Sequence, residues 1–256
     1  LRLQVGAGLF ETQSSRPVVV SIPADGLVEG LRLGESEVTG FLAGEEAEGS
    51  LTVVVIEPGA PPSIPAPRPP ARSPTSVIGI YTDAYEEADV DTLAADFSEF
   101  GGSEEVSLSA TDTALRYEEV GFIAIETARR PINAERMSHV HFDIWIEDRV
   151  ATGLSFKLVD FGANGVFDGP GVADDSEAEF RYDNSGTLSP PRLSSGRWIA
   201  FDIPLAEFER GGSFDVGPGL DEREHLAQYI FGNGPSAGPV TFWLDNFYFY
   251  RDPTLP

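Results

Sequence analysis

The sequence predicts an all-β protein: a β-sandwich of jelly-roll type, preceded by a small β-strand region and a Pro-rich linker. Short apolar-alternating segments recur between Gly-, Pro- and Asp-rich turns along the C-terminal two thirds. The 27 glycines and 20 prolines interrupt regular elements and mark turns and linkers. The run PGAPPSIPAPRPPARSP from Pro58 to Pro74 favours an extended polyproline shape and cannot continue a strand ladder, so it separates two regions.

Residues 1–57 hold short β-like pieces: LRLQV, PVVVSI at 17–22, GLRLG at 30–34 and SLTVVVIE at 50–57. So few strands bury little core alone, so they are expected to form a small Ig-like fold or to donate a strand to another subunit. Residues 58–75 are expected as a linker, with Arg68 and Arg72 solvating it. The region 76–252 opens with SVIGIYTDAY and closes with TFWLDNFYFY. Between them come EEVSLSA, ALRYEEV, FIAIET, HVHFDIWIE, LSFKLVDF, EAEFRY, RWIAFDI and AQYIFG, enough strands for two packed sheets. A short helix is expected at 89–100 and a helical turn at PLAEFER.

Length and charge bound the function. A chain of 256 residues builds one large domain and a smaller companion without disulfides, and it contains no cysteine. The net charge of −25 comes from 42 acidic against 17 basic residues, Lys157 being the one lysine. Such a surface disfavours nucleic acid, whose binding needs cations against phosphates. Dense carboxylates suit a halophilic protein whose self-repulsion salt screens, and equally an acidic secreted one. No run of 18 apolar residues exists to span a membrane as a helix. The first residue is Leu1 and not Met, which suggests a removed leader or a segment of a longer product, and an extracellular or cell-surface location is expected.

Across residues 76–251 the sequence resembles a family of non-catalytic β-jelly-roll modules found beside glycoside hydrolases and in surface glycan-binding proteins of marine and saline bacteria. The pieces that carry the resemblance are Thr82-Asp83-Ala84-Tyr85, the HVHFDIW strand ending at Trp145, KLVDFG, Asp174-Asp175-Ser176-Glu177, Trp198 to Leu205 and Asp245-Asn246-Phe247-Tyr248-Phe249-Tyr250. The resemblance implies polysaccharide binding without chemistry. It also implies a structural Ca²⁺ between the first and last strands, with Asp83 and Asp245 at the matching positions. The chain departs from the family where an N-P-N-W-G-Q stretch is usual: here stands LAADFSEFGGSEE, without the tryptophan. Any ligand contact made there is altered.

Sugar recognition calls for flat aromatic faces beside polar groups that meet hydroxyls. The candidates are Tyr85, Trp145, Phe167, Tyr182, Tyr229 and Trp243, with Asn164, Asp175 and Arg181 as polar companions, and Trp198 is expected in the core. In HVHFDIWIE, alternation puts His139, His141, Asp143 and Trp145 on one face, opposite Val140, Phe142, Ile144 and Ile146. The acidic loop 160–179 is read as solvated, with a second cation as the alternative, and His225 as a surface residue. Asp160-Phe161-Gly162 spells a kinase signature with no phosphate loop to accompany it, and no Gly-x-Ser-x-Gly elbow occurs, so no enzyme is expected. The rival reading is a structural subunit of an extracellular filament or surface layer, joined by β-strand addition.

Overall fold

The computed structural model describes residues 11–22, 28–55, 59–148, 153–169, 172–234 and 237–254; the LRLQV segment lies outside them. The chain divides into two compact units, Leu1–Ala60 and Pro61–Pro256. In the first, β1 (Glu11–Ser14), β2 (Val20–Ser21), β3 (Glu29–Gly30), β4 (Gly34–Leu42) and β5 (Glu45–Val55) form a three-stranded sheet in the order β1-β4-β5 and a small β2-β3 pair. The β4-β5 hairpin turns at Ala43 and Gly44, both at positive φ, the backbone whose twist matches two antiparallel strands. Its core is small: Val19, Val20 and Val38 are buried, with Ile22, Val53 and Val55 against them. Leu42 and Leu51 remain exposed.

The second unit holds β6 (Val77–Tyr81), β7 (Gly102–Ser109), β8 (Asp112–Val120), β9 (Phe122–Glu126), β10 (His139–Ile146), β11 (Gly153–Asp160), β12 (Ser176–Asp183), β13 (Trp198–Pro204), β14 (Val216–Gly219), β15 (Leu226–Gly232) and β16 (Val240–Tyr250). It is a β-sandwich, as the alternation predicts. The larger sheet runs β13-β10-β16-β8-β7, with β6 also on β16; the smaller runs β14-β12-β11-β15-β9. Strand β16 is long enough to pair with β8 through residues 240–244 and with β6 through 247–250. PLAEFER supplies a 3-10 turn, Leu205–Glu207.

One aromatic-rich core lies between the sheets. Phe142 of β10 meets Phe156 of β11 at 4.6 Å between ring centroids, Phe201 of β13 at 4.8 Å and Phe231 of β15 at 5.1 Å. Val140, Phe142, Ile144 and Ile146 are fully buried, so the predicted inward face of β10 is the observed one.

Residues 89–100 form no helix. The N–H groups of Asp91, Ala95 and Glu99 donate to the carbonyls of Glu126, Ala124 and Phe122, so this stretch lies along β9 and supplies part of that edge strand's missing partners.

Replacing Phe142 with Ala should lower the free energy of unfolding by about 4 kcal/mol, because four aromatic neighbours from both sheets lose their common partner. Urea denaturation followed by far-UV circular dichroism measures it.

Candidate functional site

The outer face of the larger sheet gathers the polar and aromatic residues that the alternation points away from the core. On β10 these are His139, His141, Asp143 and Trp145; on β16, Trp243, Asp245, Tyr248 and Tyr250; on β13, Trp198 and Asp202. The register places Trp145 opposite both Trp198 and Trp243, so all three tryptophans of the chain sit side by side. The Trp145 and Trp198 rings lie 5.9 Å apart, edge to face. His139 stacks on Tyr250 at 4.9 Å, His141 on Tyr248 at 4.8 Å, and Tyr85 meets the Tyr248 ring edge-on at 4.9 Å.

A bulge in β16 organises this face. The register with β10 shifts between His141 and Asp143, and Asn246 adopts φ +51°, left-handed backbone that Asn tolerates better than most side chains. Asn246 is the extra residue: Asp245 and Tyr248 both remain on the outer face, while Phe247 and Phe249 join the core. Its Nδ2 donates to Asp143 Oδ2 at 2.9 Å and to the Pro67 carbonyl at 3.2 Å.

The second contact corrects the linker expectation. The proline run lies on the sheet from Pro62 to Arg72. Trp198 Nε1–H donates to the Ile64 carbonyl at 2.9 Å, Tyr85 O–H donates to the Pro70 carbonyl at 2.5 Å, and the Arg72 guanidinium sits 3.7 Å above the Tyr250 ring. Arg72 therefore packs on an aromatic ring, a cation–π contact, where solvation was expected. Trp198 is likewise not core but half-buried on the outer face, since Ile199, Phe201 and Ile203 take the inward phase of β13.

Charges around His141 and Arg116 are paired. The His141 ring lies between Asp143, 3.6 Å from its Nε2, and Asp202, 3.5 Å from its Nδ1. Burial by itself would lower the His141 pKa; the hydrogen bonds and charges of the two carboxylates outweigh it and raise it to about 9. Arg116 binds Glu147 through Nε and Nη2 at 2.7 and 3.0 Å, and Trp243 Nε1–H donates to the same carboxylate at 2.8 Å.

A second feature lies where β6 ends and β8 begins. Asp83 Oδ2 accepts from the N–H and the hydroxyl of Thr113 at 2.6 and 3.1 Å. Asp245 is 1% exposed, its Oδ2 buried without a hydrogen-bond partner, and Asp112 Oδ1 is buried and unpartnered too. Burial first, then the charges of Asp112, Asp143 and Asp83, push the Asp245 carboxyl up to about 8; burial and Asp83 raise Asp112. Asp112 joins the two acids expected from sequence, and one acid among 42 gives no local signal.

Among the described residues, donor atoms of three metal-type side chains lie within 4.8 Å of one another in one place, Asp160, Glu222 and His225. Both Asp160 oxygens already accept backbone N–H groups, from Gly162 at 2.8 Å and His225 at 2.9 Å, which hold that carboxylate without a cation. His225, expected at the surface, is half-buried here.

The remaining sequence candidates do not join the aromatic face. Asn164, Phe167 and Asp175 belong to the loop after β11: Phe167 is 42% exposed against Phe161, and Asp175 is buried, accepting from the N–H groups of Asp168 and Gly169. Arg181 pairs with Glu179 at 2.9 Å on β12. Tyr182 is a correction: it is 1% exposed in the core, edge-on to Phe201, because it shares the inward phase of Ala178 and Phe180. Tyr229 is a correction too, fully buried in the core. Of the candidates, Tyr85, Trp145 and Trp243 are brought together, with Trp198, Tyr248 and Tyr250 added by the structure.

No family model matches the chain, and no curated protein matches it. Solved structures similar to the chain include carbohydrate-binding modules. One is the family 11 module of Clostridium thermocellum in complex with a β-1,3-1,4-mixed-linked tetrasaccharide, with 14% identity over 62% of this chain and 86% of that one, TM-score 0.41. Another is the family 30 module of a Clostridium thermocellum cellulosomal cellulase, with 13% identity over 64% and 95%, TM-score 0.42. A third, an agarase, shows 10% identity over 71% of this chain and 25% of its own, TM-score 0.42.

Because the folded His141 pKa lies above the ordinary histidine value, its contribution to stability is complete below about pH 6.5 and is lost as pH rises through 9. The melting temperature should fall across that window, by the equivalent of about 3 kcal/mol at most. Asp245 adds a slope of the same sign below pH 8, so the readout is the difference between wild type and His141→Gln, whose decline above pH 8 should be smaller.

Proposed function

We propose that this chain is a secreted or surface-exposed, non-catalytic polysaccharide-binding protein whose binding face is the outer side of the larger sheet. The observation that supports it is the collection of all three tryptophans with Tyr85, Tyr248 and Tyr250 on that face, interleaved with Asp143, Asp202, His139 and His141. Flat rings meet the apolar faces of pyranose units, and the carboxylates and imidazoles between them meet hydroxyls. With residues 62–72 in place, the open part is the β13 edge, where Trp198 is half-buried and Ala200 and Asp202 are exposed. A chain of net charge −25 repels polyanions, so neutral glycans are its ligands.

Titration calorimetry against mixed-linkage glucan, laminarin, agarose oligosaccharides and alginate tests this. A neutral glycan should bind, alginate should not, and Trp198→Ala or Asp202→Ala should weaken binding by about tenfold, the cost of one stacking or charged contact. No heat with any glycan at millimolar concentration would sink the proposal.

The same proposal includes a structural Ca²⁺ held by Asp83, Asp112 and Asp245. Two buried carboxylate oxygens lack partners, Asp83 raises the pKa of Asp112, and both of them raise that of Asp245, the pattern of a site short of positive charge, and oxygen donors suit Ca²⁺. Its role is to tie β6, β8 and β16 together. Ca²⁺ at a hundredfold excess over its dissociation constant should stabilise the fold by about 2.7 kcal/mol. Asp245→Asn should abolish that gain while stabilising the metal-free protein at neutral pH, since it removes a carboxyl that folding forces to take up a proton. A melting temperature indifferent to Ca²⁺ and chelator would exclude the site.

A second reading, assembly into a filament or surface layer by strand addition, has its own support in the first unit. The eleven-residue β5 is an edge strand, and Val18, Val28, Leu31, Leu33, Leu42 and Leu51 are all exposed there. Monomers by light scattering at high protein concentration would exclude it.

A further inference from the structure

The contacts of the proline run have a period. Three donors, Trp198 and Asn246 of the sheet and Tyr85 of the turn after β6, reach the carbonyls of Ile64, Pro67 and Pro70, spaced by three residues. Burial follows the same spacing with one slip of phase: Pro62 and Pro65 are covered, then Ala66, Pro69 and Arg72, whereas Ile64, Pro67, Arg68 and Pro70 are exposed. Three residues per turn is the repeat of the polyproline II helix, and Ser73 at its end has φ −66° and ψ 138°, within that region.

Trp198 is on β13 and Asn246 on β16, with β10 between them, and the register sets Trp198 level with Trp243, three residues before Asn246. The strap therefore crosses the strands obliquely, and one carbonyl in every three residues, the polyproline repeat, meets a side-chain donor. Those donors are an indole N–H, a carboxamide and a phenol, and the strap's last residue, Arg72, stacks on Tyr250. Extended Pro-rich segments are recognised in aromatic-lined grooves by this combination, with carbonyls hydrogen-bonded, rings packed and little entropy lost.

We propose that the outer face of the larger sheet is a recognition groove for polyproline-type peptide, and that residues 62–72 of the same chain are its resident, exchangeable ligand. The groove discriminates backbone shape: it reads carbonyls at i, i+3 and i+6 and requires a segment already extended. Any sequence that holds the shape and ends in a cation suits it, including the strap of a second copy. The proposal stands apart from polysaccharide binding, since its test contains no glycan.

The test uses the full chain with Pro65, Pro67, Pro69 and Pro70 each changed to Gly. Their carbonyls remain, but each proline's pre-organisation, worth roughly two- to fivefold, is lost. A dye-labelled, capped peptide of residues 61–73 is then titrated by fluorescence anisotropy. It should bind the four-glycine chain at least tenfold more tightly than wild type, whose groove is filled. The same peptide with glycine at the four prolines should bind at least tenfold more weakly. Adding Trp198→Phe, which keeps a ring but removes the N–H donor, should weaken peptide binding several-fold. Equal binding to wild type and the four-glycine chain, or equal binding of the two peptides, would overturn the proposal. Should the four-glycine chain fail to fold, Tyr85→Phe with Asn246→Ala in the native chain gives the second measurement. Acrylamide quenching of the tryptophans should rise about twofold and fall back on adding the peptide, and quenching unchanged by both would overturn it.

Discussion

The bulge at Asn246 is the constraint on which the outer face depends. A strand with unbroken alternation could not present Asp245 and Tyr248 outward while burying Leu244, Phe247 and Phe249; one extra residue in β16 reconciles the two requirements. The same residue turns its carboxamide across the sheet to Asp143 on one side and to Pro67 on the other. A left-handed Asn, buried to 4% exposure and satisfied by a neighbouring carboxylate and a strap carbonyl, is backbone strain held in place by its surroundings.

Much of the sandwich is legible in the sequence because its strands alternate cleanly. HVHFDIWIE reads as one buried and one polar face, and the structure has both in that phase. Two of the misplaced aromatics were legible too. In RWIAFDI the inward phase belongs to Ile199, Phe201 and Ile203, which forces Trp198 outward; in EAEFRY it belongs to Ala178 and Phe180, which draws Tyr182 inward. The strap is different. Proline composition announces an extended shape but carries no information about the surface it lies on, because the groove is assembled from β13, β16 and the turn after β6, over a hundred and sixty residues apart in sequence. Asp112 is hidden for a related reason: in a chain this acidic, proximity and not residue type singles out a carboxylate.

The histidines illustrate how burial and pairing compete on one face. Desolvation disfavours the imidazolium of His141, yet two flanking carboxylates overcome it, and the ring's stacking on Tyr248 leaves both nitrogens directed at those acids. Asp202 in turn accepts from Tyr250, whose ring carries Arg72 on it. Charge therefore passes in sign from carboxylate to imidazole to carboxylate to guanidinium across the sheet, and no member of the chain is left uncompensated within the face. At the other end, Asp83, Asp112 and Asp245 lack such a cation, which is why the two regions, built on the same strand, behave oppositely.

A face carrying three tryptophans and three tyrosines is a hazard if left bare. Apolar patches of that size invite association unless something covers them. A flexible cover would lose most of its gain to conformational entropy on docking; a proline-rich one has surrendered that entropy before it docks. Its five prolines among eleven residues also matter, since they interrupt the row of N–H groups that a strand would need; the contacts it makes with the face are from its carbonyls to side-chain donors. Such a cover cannot become a further strand of the sheet. It rests on the face without fusing with it, so the interaction can be strong enough to protect the aromatic surface and still be the kind of contact that another extended, ring-compatible chain can replace.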